Sequence, residues 1–312
     1  MAARDFSSWT PIVWDTEVAQ REVQASAIYD LAREKNMTSN TMEIPRFTNA
    51  MVGGGSQLTE DTQDGDTVAL YGYQFNGKDT LDEAEFEDSP ASEVDAVTLE
   101  WMNSFHMDYD NSCIGVSAAR SSVAMNFQPY NSIYYTVRHT DSDVGYTADT
   151  NYTKTGSGGL TYDYLNTGLG KAEATKFWNR LNGVALIEPS LQEAIRGIKD
   201  DQGRPIFVES SSGTAGGGVS PQYRLFGVPA YFTFGARVSN SFDAFQRGTF
   251  GNPLIVFANR RYTVRGNRIP PQAQFINANI NTGALEHTMQ FRARQGFCAT
   301  VPQGFSVVEV GA

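Results

Sequence analysis

Three histidines, two cysteines, 35 Asp and Glu and a short run of arginines are the residues of this 312-residue chain from which chemistry could be built. His106, His139 and His287 are widely separated, and none sits in a catalytic or zinc-ligand spacing. No G-x-S-x-G turn presents a serine nucleophile. The Gly-rich stretches near residues 145–160 and 210–220 lack the G-K-[ST] ending that closes a phosphate cradle, and GLGKAEA at 168–174 is too short to replace it. Carboxylate pairs abound, as in any acidic chain, so pairing alone nominates no general acid and base. Around Gly65, the early ligand positions of a calcium loop fall on Glu60, Thr62 and Asp64, yet the position that needs a bidentate Glu is Tyr71. His106, Asp108 and Asp110 are metal-capable types, but a spacing of two on a helix turns them in different directions, and they read as a solvated polar face. Cys113 (in CIGV) and Cys298 (in GFCATV) read as small buried hydrophobes rather than a disulfide. The sequence offers no catalytic, cofactor or metal site, and the chain reads as something other than an enzyme.

Charge says more than motifs do. The net charge is -11, which argues against wrapping nucleic acid with the body of the protein. Residues 1–120 hold 22 Asp and Glu against 7 Lys and Arg, while residues 201–312 hold 5 against 10. The acidic half can face the basic half of a neighbouring copy, or the two can pair within one chain; both readings stand at this point. The compact basic feature is ANRRYTVRGNR, with Arg260, Arg261, Arg265 and Arg268. Arg outnumbers Lys by 18 to 6, and guanidinium forks suit bidentate carboxylate pairing, so contact between subunits is favoured over nucleic acid. With 40% hydrophobic and 19% charged residues the chain can bury a core without a staple. No apolar run approaches the roughly 18 residues that span a bilayer, and MAARDFSSW lacks the pattern of a signal peptide, so an intracellular protein with no membrane partner is expected.

The elements that would position these residues form an α+β pattern. Ala19, Val23, Ala27 and Leu31 make a narrow apolar stripe at helical spacing. In residues 44–77, two strand-like arms, MEIPRFTNAMV and TVALYGYQF, flank a Gly-rich acidic tip. Paired as a hairpin, arms of about 15 residues would project on the order of 50 Å. Such a ribbon needs a partner to cover it, and its acidic tip restrains wrong pairing; Glu60, Asp61, Asp64, Asp66, Tyr71 and Tyr73 are therefore candidate assembly residues, as are Arg260, Arg261, Arg265 and Arg268. Val94, Val97, Trp101, Phe105 and Tyr109 predict a helix from about Pro90 to Asn111, roughly 33 Å long, with Ser89 as cap. SIYYTVRH reads as a β-like patch, 161–181 as helical, VALIE as a strand, and SLQEAIRGIK as a helix with a Ser190/Glu193 capping box. Short strands are expected at IFV, YRLFGV, AYFTF, LIVFA and RYTV, then at EHTMQFRARQGF and GFSVVEV.

In order, these segments resemble the major capsid proteins of tailed bacteriophages, whose fold is shared with encapsulins and the floor of herpesvirus shells. EIPRF opens what resembles the extended loop, the helix near Pro90 to Cys113 resembles the spine helix, and GVALIEPSLQEAIRGIKDDQGRPIF with YRLFGVPAYFT resembles the axial domain. FRARQGFCATVPQGFSVVEV resembles the closing peripheral strands. The resemblance implies an amino-terminal arm at 1–43, an extended loop at 44–78, a peripheral domain with the spine helix at 79–128, an axial domain at 129–268 and closing peripheral strands at 269–312. It implies a structural subunit of an icosahedral head shell around double-stranded DNA, present in the virion and assembled in the host cytoplasm. Implied partners are further copies in hexamers and pentamers, a scaffolding protein, a portal, decoration proteins, and packaged DNA through weak non-specific contact. An encapsulin-type compartment and a β-rich tail or decoration protein are the alternatives. Some relatives cross-link through a lysine of the extended loop; no Lys lies between Lys35 and Lys78 here, so no such bond is carried over.

Overall fold

The computed structural model describes residues 26–47, 65–82, 93–121, 128–156, 158–199, 203–204, 207–210, 222–240, 251–276 and 286–311. Two sheets organise them. The first has five strands in the order β1 (Arg33–Asn36), β10 (Thr263–Ile276), β11 (Glu286–Ala299), β3 (Gly65–Asp82) and β2 (Thr41–Phe47). Only the β1–β10 pair in it is parallel. The second has seven, ordered β4 (Tyr152–Lys154), β12 (Phe305–Glu309), β9 (Leu254–Asn259), β5 (Gly183–Ile187), β8 (Val228–Phe232), β7 (Gln222–Leu225) and β6 (Phe207–Ser210).

Burial explains the two strand patterns. β5, β9 and β12 are buried at every residue, as expected of central strands covered on both faces, and their sequences are nearly continuous apolar runs. β11 alternates instead: Met289, Phe291 and Ala293 are buried, while Gln290 and Arg292 are exposed. Its apolar face receives helix α2 (Glu93–Ile114), 22 residues long. Trp101, Phe105 and Tyr109 recur every fourth position, so they stack in one column, with ring centroids 5.5 and 5.8 Å apart. Trp101 stacks on Phe291 at 5.0 Å, and Phe75 of β3 meets Phe105 edge-on at 5.2 Å.

The carboxyl-terminal end of α2 leaves this sheet and meets backbone from the second. Asn111 Nδ2 donates to the Gly235 and Arg237 carbonyls at 3.0 and 2.9 Å. The approach requires glycine: a Cβ on Gly115 would lie 1.8 Å from the Arg237 carbonyl oxygen, and one on Gly235 2.7 Å from the Asn111 nitrogen. Gly115→Ala should accordingly destabilise the protein by about 3 kcal/mol, the upper range for forced overpacking, read as a lower denaturant midpoint. One apolar cluster spans the junction, joining Phe75, Phe105, Tyr109 and Phe297 to Val184, Leu186, Leu254, Phe305 and Val307.

Several expectations change. SIYYTVRH forms helix α3 (Ile133–Arg138), because the Ser132 side chain caps it by accepting from the Tyr135 amide and because Ile133, Tyr134 and Val137 bury at i, i+1 and i+4. The segment expected to be helical over 161–181 is helix α4 (Tyr162–Glu173). SLQEAIRGIK does not use a Ser190/Glu193 box: a turn at Pro189–Leu191, capped by the Glu188 carboxylate accepting from the Ser190 amide at 2.8 Å, leads into helix α5 (Gln192–Gly197). The boundary expected at residue 268 falls inside β10, and β12, grouped by sequence with β11, lies in the other sheet. The chain crosses between sheets at 300–304, where no composition shift marks the passage. The expected helix at the amino terminus is described only as α1 (Ala27–Leu31); Ala19, Val23, Ser89 and Pro90 lie outside the described residues.

Candidate assembly site

The expected ribbon is present at its base. β2 and β3 pair antiparallel from Thr41↔Tyr71 to Phe47↔Gly65. Residues 48–64, and with them Glu60, Asp61 and Asp64, lie outside the described residues. The register sets Arg46 opposite Asp66, and Arg46 is the clamp of this base. Its Nη2 pairs with Asp66 at 2.8 Å, and its Nη1 donates to Asp141 at 2.7 Å and to the Thr300 carbonyl at 3.0 Å. The side chain is only 9% exposed. One guanidinium thus ties the ribbon to the 141–143 turn and to the end of β11. Partial burial pulls the Arg46 pKa down, but the hydrogen bonds it donates to Asp141 and Asp66 carry it above its ordinary value.

Asp66 is held below the usual carboxylate range, first by the Arg46 hydrogen bond and then by the Thr67 amide. Glu309 is also depressed: burial opposes this, and hydrogen bonds from Tyr152 at 2.6 Å, Asn252 at 2.7 Å and Tyr134 at 2.8 Å outweigh it. A carboxylate with a lowered folded-state pKa stabilises above its unfolded value of about 4 and loses that contribution as pH falls through the folded value. Thermal stability should therefore be level near neutrality and drop once pH falls below about 4. Arg46→Met should remove about 2 kcal/mol and flatten part of that acid limb, in melts recorded against pH.

The second device is Asp110, the residue read from sequence as part of a solvated face. It is 1% exposed. Its Oδ2 accepts from the Ala27 amide at 2.9 Å and the Thr233 hydroxyl at 2.6 Å, while Oδ1 accepts from the Ile28 amide at 3.2 Å and the Ser26 hydroxyl. Burial pushes this carboxyl up, and the four donors work against that by favouring the ionised form. All four contacts are donors, so the pocket is built for a carboxylate. Asp110 joins the start of α1, the spine helix and the segment after β8. Its partners lie more than 80 residues away in both directions, so nothing near it in sequence signals them. Arg46 and Asp66 could have been found by aligning the two arms of the hairpin, which sets them opposite each other.

The remaining candidates divide. Tyr71 lies under the Arg120 guanidinium, 3.4 Å from its ring centroid, beside a cleft of about 290 Å³ lined also by Arg46, Tyr130 and Cys298. Tyr73 meets Phe75 edge-on at 5.1 Å. Arg265 points inward, 4% exposed, paired with Glu34 at 2.8 Å and lying 3.5 Å from the Tyr29 ring centroid. Arg268 donates to Asn40. Arg260 and Arg261 remain exposed on the turn Arg260–Tyr262. The arginine run is thus not one patch, because alternate strand positions face opposite ways. Both cysteines are free and buried; burial pushes the Cys113 thiol well up and Cys298 to about 12, which makes them poor nucleophiles. Among the described residues no group of three or more His, Cys, Asp and Glu is arranged to hold a metal ion, and no helix is long and apolar enough to cross a membrane.

No family model matches the chain, and no curated protein does. Solved structures match over its whole length. The capsid of a native GTA (gene transfer agent) particle is 12% identical, covers 100% of both chains and superposes with a TM-score of 0.67. A structure from Gordonia phage Cozz is 14% identical over 98% of this chain and 93% of its own, with a TM-score of 0.68. The capsid of the cyanophage P-SCSP1u is 10% identical over 100% and 95%, with a TM-score of 0.63. Two sheets bridged by a spine helix, with a ribbon clamped at its base, make this chain a bearer of the tailed-phage major capsid fold.

Proposed function

We propose that the chain is the repeating subunit of an icosahedral capsid that encloses double-stranded DNA, in a tailed-phage head or a related gene-transfer particle. The observation that carries this reading is the extent of the match: the whole chain, not one lobe of it, superposes on capsid subunits. The clamped ribbon base supports it, since a strand pair fixed by Arg46 to the body can present its far end to a neighbour in a defined direction. Its role is structural, without catalysis. Copies associate in hexamers and pentamers; a scaffolding protein, a portal and decoration proteins are the further partners this reading carries. The acidic balance of the chain limits adhesion between wall and genome. Each contact between copies can be modest, because a subunit held by several neighbours gains by multivalency. Sedimentation of the purified chain, alone and with a co-expressed scaffolding protein, tests this: megadalton particles support the reading, and a 34.3 kDa monomer under every assembly condition defeats it.

A further inference from the structure

One end of the five-stranded sheet gathers cations from three stretches of chain. The Arg260–Tyr262 turn rests on the 176–182 segment: the Arg260 amide donates to the Asn182 carbonyl at 3.0 Å, and Asn259 Nδ2 donates to the Phe177 carbonyl at 2.8 Å. Tyr262 meets the Phe177 ring edge-on at 5.7 Å, which fixes the two segments together. β1 lies beside the turn, with Arg33 opposite Val264. Val264 is three residues past Arg261, so the backbones at Arg33 and Arg261 are within about 16 Å of each other. Arg33, Lys35, Lys176, Arg180, Arg260 and Arg261 are all exposed, and among the described residues none of them is in an ion pair.

Neighbouring carboxylates do not neutralise them. Glu34 alternates with Arg33 and Lys35 along β1 and is held by Arg265 at 2.8 Å and Asn267 at 2.7 Å. Glu173, exposed at the end of α4, makes no ion pair with them. Elsewhere on the described surface, carboxylates are engaged within their own chain: Asp66 and Asp141 by Arg46, Asp149 by Arg138, and Glu309 by Tyr134, Tyr152 and Asn252. Asp79 and Asp163 are exposed on separate elements, and Asp79 stands beside the exposed Lys78. A second copy thus offers no acidic face of matching extent among the described residues. A partner for six unpaired cations has to be dense in negative charge. Duplex DNA carries one charge per about 1.7 Å of its axis, so a patch about 20 Å across meets phosphates enough for all six. Guanidinium forks and ammonium groups both suit phosphate oxygens, and contacts of this kind hold a duplex without reading its sequence.

We propose that this end of the sheet is a docking surface for the phosphate backbone of duplex DNA. The proposal rests on the shell reading and deepens it: in a shell, the patch is where an otherwise acidic wall touches the packaged genome, so adhesion is confined to one small area per subunit. Arg265 and Arg268, the other half of the arginine run, take no part, because they are bound to Glu34 and Asn40.

The test is fluorescence anisotropy of a labelled duplex of about 30 base pairs with the purified chain, from about 50 to 200 mM salt. With about five phosphates neutralised, affinity should fall roughly 10²- to 10³-fold over that range. R260E/R261E should bind about tenfold more weakly at the low-salt end and flatten the logarithmic salt slope by about 2, with melting unchanged from the parent. K78E/R292E makes the same change of charge at exposed positions farther along the sheet, and should bind as the parent does. Equal binding by R260E/R261E and the parent would overturn the proposal, and so would equal loss in both double variants, which would reduce the effect to net charge. Leu181, 87% exposed beside Asn182, separates the two kinds of partner, because a protein would have to cover it and a phosphate backbone would not. L181Q should therefore bind the duplex as the parent does. Loss of particles from L181Q and R260E/R261E alike, with duplex binding intact, would overturn the proposal by assigning this end to a second copy. A parent chain that binds the duplex but forms no particles keeps the contact and defeats the shell reading, so the two failures are told apart.

Discussion

Asp110→Ala should lower the melting temperature by on the order of 10 °C, the shift that a loss of about 3 to 5 kcal/mol produces in a protein of this size. The change leaves the Ala27 and Ile28 amides and the Ser26 and Thr233 hydroxyls, all in a buried site, without their acceptor. Each orphaned donor costs about 1 to 3 kcal/mol; the desolvation that the carboxylate itself no longer pays offsets part of the sum. Asp110→Asn should recover little, because its amide nitrogen would face donors on one side. The damage should be local first. Hydrogen exchange at Ala27 and Ile28, and proteolysis near Ser26, should accelerate before the strands of the second sheet respond. An unchanged melt would mean that this carboxylate does not anchor the chain entering α1.

Removing Val52–Asp64 should leave a soluble, folded subunit that no longer closes into shells. The cut stops short of Gly65 and Asp66 on purpose: Asp66 belongs to the Arg46 clamp, and the body of β3 is held by β11 from Tyr71 to Asp82. With the Arg46 clamp and the β3–β11 pairing kept, the melt should stay within a few degrees of the parent. Assembly should fall by orders of magnitude, because a subunit that loses one of several simultaneous contacts loses the effective concentration that links them. Particles of normal size from this variant would remove the gripping role from the ribbon.

Sequence order carried much of the architecture. The spine helix was legible because Trp101, Phe105 and Tyr109 keep strict four-residue spacing, and β5, β9 and β12 because GVALI, LIVFAN and FSVVE have few polar interruptions. IYYTVR was misread since β-branched and aromatic residues favour strands on average, whereas here the Ser132 cap and burial of one face decide for helix. Asp110 was misread for a different reason. A carboxylate is placed in the interior only when donors are waiting, and its donors come from Ser26 and Thr233, at separations of 84 and 123 residues. Local spacing cannot report such partners. The arginine run does not act as one unit: Arg260 and Arg261 stand exposed, while Arg265 turned inward once β1 supplied Glu34 beside it. The opposition of charge along the sequence was visible at the outset, and the structure brings one pair of it together within the chain, Glu34 of the acidic part with Arg265 of the basic part.

Cryo-electron microscopy of particles purified from cells expressing this chain tests the shell reading most directly. The account predicts a closed icosahedral wall in which each subunit shows the five-stranded sheet and spine helix, with density for residues 48–64 lying against a neighbour. Isolated monomers, or open fibres with that segment folded onto its own body, would contradict it.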